Sequence, residues 1–406
     1  MGIAKRHWEN AMDRGWTDPE TSVCLNCISD DFLCKIARKH RDGYTCDYCK
    51  ERTRGKSTVP LKVLMPYIQQ AVSKYFTDPS NAGVPYSARD GGYYIEPMSS
   101  LEMIQNLTSA FEFNLSEDIA NALTNDSWVA TADGDWVSVH PSVEMSYAWG
   151  SFVTSVKHQS RYFFMHAGRR NAQSGSDSPL NILAQIADHA KMLKLIKPLA
   201  VGSELFRVRE KLTGDKWELC EQQLLAPPNE LAAAGRMNPA GIAYMYLAFQ
   251  PGVALGEVLS HPPCQAAVVT FETKRELLLL DLTQLPEAPS IFDVKRYGMD
   301  QSLSFLAKFV ADTSKPFSKD GGEHISYVPS QVVSEYFNQV FETTDKKKLD
   351  GILYPSSIQP GGKNVVLFPP EGNETFRSLL DYRGSILRRF DTWPELTTAI
   401  SGCEEF

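Results

Sequence analysis

Residues 235–258 read GRMNPAGIAYMYLAFQPGVALGEV, and this stretch decides which fold the second half of the chain adopts. Its part 237–256 is the longest run without a charged residue. The run is long enough to cross a membrane, but Pro239, Pro251 and their neighbouring glycines interrupt it. The pattern therefore predicts a strand, a turn and a second strand or a helix in a globular domain.

The composition bounds the class of protein. At roughly 150 residues per domain, 406 residues predict two to three domains. Apolar residues make up 43% and charged residues 22%, which is typical of a soluble globular protein and excludes collagen-like, disordered and repeat-array classes. The formal net charge of −8 argues against a generic nucleic-acid coat. Residues 1–16 lack the apolar centre of a secretory signal, so we expect a cytoplasmic protein that does not enter membranes.

Two CxxC pairs near the amino terminus predict a metal site. The pairs are Cys24 with Cys27 and Cys46 with Cys49, separated by 18 residues. This spacing lies within the window of structural zinc sites, in which two residues between thiolates let both sulfurs reach one tetrahedral Zn²⁺. The alternatives are coincidence and a redox dithiol. Cys34 lies outside the pattern and is expected to be a small buried residue.

The segment 35–56 is basic, with eight cations against three anions and hence a local charge of +5. It is either a face that binds nucleic acid or a solubilising surface on a small module. The cations are Lys35, Arg38, Lys39, Arg41, Lys50, Arg52, Arg54 and Lys56.

Helical spacing dominates the middle of the chain. Apolar residues recur at helical intervals over 63–76, over 101–123 and again over 147–164, which predicts an all-helical domain from residue 58 to about 178. Within it, Arg161 and His166 have the Arg-x4-His spacing of the HEPN family of helical domains. That resemblance implies binding or ribonuclease chemistry. Residues five apart on a helix point about 140° from one another, which favours a site completed by a second chain or no site.

After residue 199 short apolar runs predict strands separated by Pro and Gly. The runs cover 205–208, 243–249, 266–271, 277–282 and 364–368, and residues 331–341 have helical spacing. This alternation predicts an α/β or α+β domain with a substantial sheet.

Five fragments in this region occur in the order seen in the RES family, which the chain resembles from about residue 200 to 370. They are LFRV at 205–208, GRMNPAGIAYMYLA at 235–248, ALGEV at 254–258, YVPSQ at 327–331 and DGILYPS at 350–356.

The resemblance implies an α+β fold like that of ADP-ribosyltransferases and cleavage of the nicotinamide–ribose bond of NAD⁺. Arg207 and Arg236 would contact the diphosphate and ribose, and Tyr246 would stack on the nicotinamide. Glu257 would bind the ribose hydroxyls, and Ser356 would fix the cofactor end of the site. A departure from the family is Met237, where an aromatic residue commonly follows Gly-Arg, and which would soften the pocket wall.

The chemical properties of these side chains suit that reaction, independently of the family resemblance. Guanidinium groups pair with phosphate oxygens through two charge-assisted bonds. Breaking an N-glycosidic bond gives the ribose oxocarbenium character, and a carboxylate that accepts from the 2′-hydroxyl, such as that of Glu257, stabilises this transition state. Taken singly, the same residues are equally typical of solvated surfaces and turns.

We therefore predict three domains: a zinc-ribbon-like module at 1–57, a HEPN-like helical domain at 58–178 and a RES domain with a leading helix at 179–406. Three functions stay open. The first is an NAD⁺-consuming glycohydrolase or phosphorylase, a bacterial toxin or defence effector restrained by an antitoxin or triggered through its amino-terminal domains. The second is a protein ADP-ribosyltransferase, and the third is an RNA-binding or RNA-cutting HEPN protein. A homodimer through the helical domain is also expected.

Overall fold

The computed structural model describes residues 3–87, 89, 91–131, 141–161, 179–211, 218–259, 261–314 and 322–402. By internal contacts the chain divides into two compact units. The first comprises Met1–Glu144 with Ala288–Gln301, and the second comprises Met145–Glu287 with Ser302–Phe406. The division into three domains stays a prediction.

The first unit combines short helices with small two-stranded pairs. Its helices are α1 (Ile3–Arg14), α2 (Asp31–Lys39), α3 (Met65–Tyr75), α4 (Ser100–Leu107) and α5 (Phe113–Ala122). Its antiparallel pairs are β1 (Ser22–Cys24) with β2 (Thr58–Pro60), β3 (Phe76–Thr77) with β6 (Val129–Ala130), and β4 (Tyr86–Ser87) with β5 (Gly92–Tyr93).

The helical prediction for the middle of the chain holds in part. The region is not all-helical, because the short strand pairs β3–β6 and β4–β5 lie within it, and one of the predicted helices is broken. The stripe over 63–76 forms α3, whereas the spacing over 101–123 is divided between α4 and α5. At the break, the hydroxyl of Thr108 accepts a hydrogen bond from the backbone N–H of Ala110 at 3.0 Å. Such a local side-chain bond competes with the helical hydrogen bond and ends the helix.

One hydrophobic core runs through the first unit. Buried residues beside the CxxC pairs, among them Val23 and Val59, belong to the same cluster as Ile68 of α3 and Leu115 of α5. Phe292 joins this cluster from the later segment and packs against Phe111 at 5.6 Å between ring centroids. The cysteine region and the helices that follow therefore share one core.

The helices of the second unit lie before, between and after its strands in the chain. Its helices are α6 (Pro141–His158, shared with the first unit), α7 (Pro179–Met192), α8 (Glu221–Leu224), α9 (Pro251–Val258), α10 (Tyr297–Ser314, also shared), α11 (Glu323–Ser326), α12 (Val328–Gln339) and α13 (Trp393–Ile400). Trp149 of α6 packs against Phe305 and Phe309 of α10, and the ring centroids lie 6.4 and 5.1 Å apart. None of the helices in the described part of the chain is both long and apolar enough to cross a membrane.

An eight-stranded mixed sheet forms the body of the second unit. In spatial order its strands run β14-β10-β8-β9-β13-β12-β11-β7, and every neighbouring pair is antiparallel except β11 with β12. The strands are β7 (Ile196–Leu199), β8 (Glu204–Glu210), β9 (Met245–Ala248), β10 (Cys264–Thr273), β11 (Leu277–Asp281), β12 (Gly351–Pro355), β13 (Lys363–Leu367) and β14 (Leu380–Phe390). The helical amino-terminal region and the α+β sheet predicted from the sequence are thus confirmed.

Each face of this sheet has its own core. On one face Leu205, Leu247 and Val269 pack together, and the neighbouring positions Val208 and Val268 face the opposite side. The second face is covered by α9 and α13. Because side chains alternate along a strand, each residue of β8 or β9 is assigned to one of these two sides.

Two glycines of α9 offer a matched test of its packing. A Cβ at Gly252 would collide with the backbone carbonyl of Ile400, whereas one at Gly256 would meet side-chain methyl groups of Ile400 and Ile358 at 3.4 and 3.5 Å. We expect Gly252→Ala to lower the free energy of unfolding by about 1–3 kcal/mol, because a backbone atom must move. Gly256→Ala should raise it by up to about 1 kcal/mol through its better helix propensity. Urea denaturation of both variants measures this, and equal effects would contradict the packing described.

Candidate functional site

Arg207 lies where β8 and β9 stop pairing. The two strands share only the pair Phe206–Ala248, and beyond it Nη1 of Arg207 donates to the backbone carbonyl of Tyr246 at 3.2 Å. Because side chains alternate along a strand, the Arg207 side chain leaves β8 on the same face as that of Leu205, opposite to the face covered by α9.

The guanidinium of Arg207 has no carboxylate partner among the described residues. Its Nε is buried and has no hydrogen-bond partner there. Burial and, to a smaller extent, the charge of Arg209 lower the pKa of Arg207 to about 10, with only the weaker influence of Tyr246 opposing. A buried cation without a counter-charge is costly, so this group is ready to bind an anion.

Arg236 lies in a turn whose backbone is held by Tyr246. The Tyr246 hydroxyl accepts from the backbone N–H of Met237 at 2.9 Å and donates to Oδ1 of Asn238 at 2.8 Å. Burial raises the pKa of Tyr246, so its hydroxyl stays protonated and acts as the donor. A Cβ on Gly235 would lie 2.7 Å from the same hydroxyl, which explains the glycine before Arg236.

Helix α9 presents Glu257 over the sheet, and two donors hold one of its carboxylate oxygens. Ser356 Oγ donates to Oε1 of Glu257 at 2.6 Å, and Nδ2 of Asn364 donates to the same oxygen at 2.8 Å. Oε2 has no hydrogen-bond partner among the described residues, and the Glu257 side chain is exposed. One oxygen is thus anchored and the other is open to a ligand.

Sheet register brings these partners together. Phe206, Ala248, Asn364 and Tyr354 lie opposite one another across β8, β9, β13 and β12. This row faces α9, because Ala248 belongs to the core under that helix. Asn364 is buried, and its position in the row places its amide beneath Glu257.

Tyr354 is a second site residue that the sequence reasoning missed. Burial raises the pKa of Tyr354 well above its ordinary value, and the neighbouring phenol of Tyr246 adds to this effect. The charge of Glu257 raises the pKa further, whereas Arg236 lowers it, so Tyr354 lies within electrostatic reach of both. Its hydroxyl has no hydrogen-bond partner among the described residues, which leaves it able to contact a ligand.

The structure places the five residues predicted from the sequence in two groups, and their role as a site stays a prediction. Ser356 binds Glu257 directly, and Tyr246 holds the turn that carries Arg236. Arg207 touches the site through the backbone of Tyr246 and starts on the other face of the sheet. Tyr354 lies in the quoted fragment DGILYPS but was given no role, and for Asn364 the signal was weak, because only its strand position after the Ser356 loop relates it to Glu257.

The four cysteines of the two CxxC pairs converge in the first unit. All four Sγ atoms of Cys24, Cys27, Cys46 and Cys49 lie within 4.8 Å of one another. Cys24 Sγ lies 3.6 Å from the sulfurs of Cys27 and Cys49, and Cys27 Sγ lies 3.8 Å from that of Cys46. Sulfurs bound to a tetrahedral Zn²⁺ at about 2.3 Å are about 3.8 Å apart, so this donor set fits zinc.

The pKa values of these thiols are shifted in different directions. Burial raises the pKa of Cys46, but backbone N–H groups of Cys49, Tyr48 and Cys24 outweigh it and lower the pKa to about 7. Burial raises the pKa of Cys24 and Cys27. Cys34 lies outside the cluster, as expected, and is buried against the carbonyl of Ile28.

The HEPN-like pair is described only in part. Arg161 is exposed beyond the end of α6, and His166 lies outside the described residues. The prediction of a second site or of a dimer there stays untested.

The fold and site define an α+β domain with an anchored carboxylate and a partly buried guanidinium, preceded by a helical region. Two family models match the chain: "HEPN/RES N-terminal domain 1" over residues 39–170 and "RES domain" over residues 204–383. The protein therefore carries an amino-terminal domain of the HEPN/RES type and a carboxy-terminal RES domain. The RES match includes all five predicted site residues, and the first match includes Cys46 and Cys49 but begins after Cys24 and Cys27.

Among solved structures, a chain in the crystal structure of the M. tuberculosis MbcT-MbcA toxin-antitoxin complex is similar to this protein. The identity is 14% and the TM-score is 0.30, with 50% of this chain and 92% of that chain covered. No curated protein matches the chain at a significant level.

Metal content and stability test the cysteine cluster. We expect about one zinc per chain after reducing, chelator-free purification, and its loss in Cys24→Ser. Because the cluster shares its core with α3–α5, the same change should destabilise the first unit beyond residue 57 and leave the RES domain folded. Zinc analysis and hydrogen exchange measure both effects, with exposed Cys220→Ser as control. A zinc-free wild type would remove the metal site.

Proposed function

We propose that this protein consumes NAD⁺ by cleaving its nicotinamide–ribose bond at the site around Glu257. The observation that carries the proposal is the asymmetry of the Glu257 carboxylate. Oε1 is fixed by Ser356 and Asn364, and Oε2 is without a described partner on an exposed side chain. A carboxylate held in this way can accept a ribose hydroxyl without further rearrangement.

The chemistry follows from where charge develops. As the N-glycosidic bond breaks, the ribose becomes oxocarbenium-like and nicotinamide leaves as a neutral base. The negative charge of Glu257, next to the 2′-hydroxyl, then stabilises the transition state more than the ground state. The residue raises the rate of the chemical step rather than the affinity for NAD⁺.

Ser356 acts in this proposal by positioning Glu257. Its Oγ donates to Glu257 and lies 3.2 Å from the backbone N–H groups of both Ile358 and Gln359, from which it accepts. The hydroxyl is therefore fully engaged by the protein. This makes it a support for the carboxylate, where the family resemblance implied a contact with the cofactor.

The diphosphate of NAD⁺ is the anion that we assign to the arginines. Although Arg207 starts on the face opposite to Glu257, β8 and β9 stop pairing beside it, and its guanidinium reaches the carbonyl of Tyr246, whose hydroxyl holds the Arg236 turn. The unpartnered buried Nε of Arg207 supports this assignment, since a phosphate oxygen would supply the missing acceptor. Arg236 acts from its turn on the Glu257 side, where its charge reaches Tyr354. The rings of Tyr246 and Tyr354 would form the wall against which the nicotinamide stacks.

The fate of ADP-ribose separates the reaction classes within this proposal. Water as acceptor gives ADP-ribose, phosphate gives ADP-ribose 1″-phosphate, and a macromolecule gives a labelled product. Purified protein incubated with NAD⁺, with and without phosphate and cell extract, distinguishes these outcomes. We propose hydrolysis or phosphorolysis and a toxin or defence effector restrained by an antitoxin or by the amino-terminal domains. Labelled protein as the main product would favour the ADP-ribosyltransferase alternative.

Substitutions in the site should separate binding from turnover. Glu257→Gln should bind ADP-ribose like the wild type and lose NAD⁺ turnover, because an interaction of the transition state is removed. Arg207→Ala should weaken ADP-ribose binding by about 1.5–3 kcal/mol, since a charge-assisted contact is lost. Calorimetry and product analysis measure both, with the exposed Glu287→Gln as control. Wild-type turnover in Glu257→Gln would refute the assignment of this residue.

A second candidate function, nucleic-acid binding by the cysteine region, is favoured by its uncompensated charge. The anions Asp42 and Asp47 are engaged, by Lys56 at 3.0 Å and by the backbone N–H of Ser22 at 2.6 Å. The other seven cations of the segment 35–56 form no ion pair with a described residue. Three of them, Lys35, Arg38 and Lys39, share one exposed face of α2.

Salt dependence tests this candidate. A labelled single-stranded RNA should bind with a logarithmic salt slope of about −0.7 for each phosphate contacted, measured by fluorescence anisotropy. Arg38→Glu and Arg41→Glu should each weaken binding and make the slope shallower. Lys295→Glu, an exposed cation elsewhere in the first unit, should change neither. If all three variants bind the RNA with the same affinity and salt slope, the positive charge of the segment 35–56 serves only as a solubilising surface.

A further inference from the structure

The turn that carries Arg236 is held by the first residues of α12. Nε2 of Gln331 donates to the backbone carbonyls of Gly235 and Asn238 at 2.8 and 2.9 Å. Ser330 Oγ lies 2.5 Å from the carbonyl of Arg236. Three of the four carbonyls in this turn are therefore bound by two consecutive side chains of one helix.

The Asn238 side chain also anchors the turn, because its Nδ2 donates to the carbonyls of Ala233 and Ile242 at 3.0 and 2.9 Å. The one described internal backbone bond of the turn runs from the N–H of Gly235 to the carbonyl of Asn238 at 2.9 Å. The Tyr246 hydroxyl and α12 supply further polar contacts to its backbone. Gln331 is 7% exposed, and both hydrogens of its amide are used on the turn. An amide that bridges the two ends of a four-residue turn restricts its opening.

We infer that Gln331, assisted by Ser330, is the positioning residue that sets the affinity of this site for the diphosphate of its substrate, acting through Arg236. The inference rests on the proposed function, because it assigns the diphosphate to Arg236. Neither side chain touches substrate in this account. Each fixes the backbone from which the Arg236 guanidinium extends, so that little order has to be gained when the anion binds.

The position of α12 in the chain and its buried packing explain why it can support the Arg236 turn. The helix lies in the crossover between β11 and β12, the parallel pair of the sheet, and β12 leads directly to Ser356. Val333 and Phe337 of α12 are buried, which seats the helix in the second unit. The crossover thus supports both the Arg236 turn and the strand that positions the Glu257 carboxylate.

Gln331→Glu is the sharpest test, because it keeps the shape and replaces the donating NH₂ by an acceptor facing two carbonyls. We expect the Kd for ADP-ribose and the KM for NAD⁺ to rise about tenfold, as for one lost charge-assisted contact, with kcat within about twofold. Gln339→Glu, at the exposed end of the same helix, should change neither constant. Ser330→Ala removes the contact with the Arg236 carbonyl, together with a local one to the carbonyl of Tyr327 in the turn before α12. It should show a smaller rise, and it is the alternative test if Gln331→Glu does not fold.

A double-mutant cycle separates positioning from a general loss of structure. In an Arg236→Ala background, Gln331→Glu should cause no further loss of ADP-ribose affinity, because its effect passes through the absent guanidinium. Additive losses, or an unchanged Kd in both Gln331→Glu and Ser330→Ala, would overturn this inference alone. A wild-type protein that binds no ADP-ribose would overturn the proposed function and this inference with it.

Discussion

The contact on which the rest of the site depends is the pair of hydrogen bonds to Oε1 of Glu257. Their donors come from residues about a hundred positions away in the chain, Ser356 after β12 and Asn364 in β13. A one-residue slip of β13 would turn Asn364 to the other face of the sheet and leave the carboxylate unsupported. The register of β9, β13 and β12 is therefore a requirement of the chemistry as well as of packing.

The close packing of α9 against α13 sets the position of the Glu257 carboxylate above the sheet. Gly252 lets the helix lie against the backbone of Ile400 in α13, and Gly256 leaves room for two isoleucine side chains. Since Glu257 follows directly, a helix lifted from this position would lose the distance to Asn364. Packing at the buried side of α9 and the function that we propose for its exposed side both depend on this one contact.

The charge balance of the site is the second constraint. Arg207 is partly buried, with its Nε enclosed and no carboxylate partner among the described residues, and desolvation lowers its pKa to about 10. The fold bears the cost of desolvating this cation, which a bound anion would offset. The protein as a whole has a formal charge of −8, so anion binding has to rely on such local cations.

The sequence by itself determined the local features of this protein. The helical stripe over 63–76, five strand segments and the two CxxC pairs follow from periodicity and spacing, which depend on near neighbours in the chain. The ordered fragments around Arg236, Glu257 and Ser356 indicated the site by resemblance. Strand β14 was not predicted, because an edge strand with charged residues lacks a clear apolar pattern.

Only the tertiary structure decided which distant residues support that site. Tyr354 and Gln331 lie in quoted fragments but had no role assigned from the sequence, and Asn364 lies outside the fragments; their contacts arise from strand register and from the crossover that carries α12. The same holds for the core that the cysteine region shares with the helices after it, since a predicted boundary at residue 57 has no local signal to contradict it. Long-range pairing is a property of the whole chain, because each contact depends on how all the intervening elements pack.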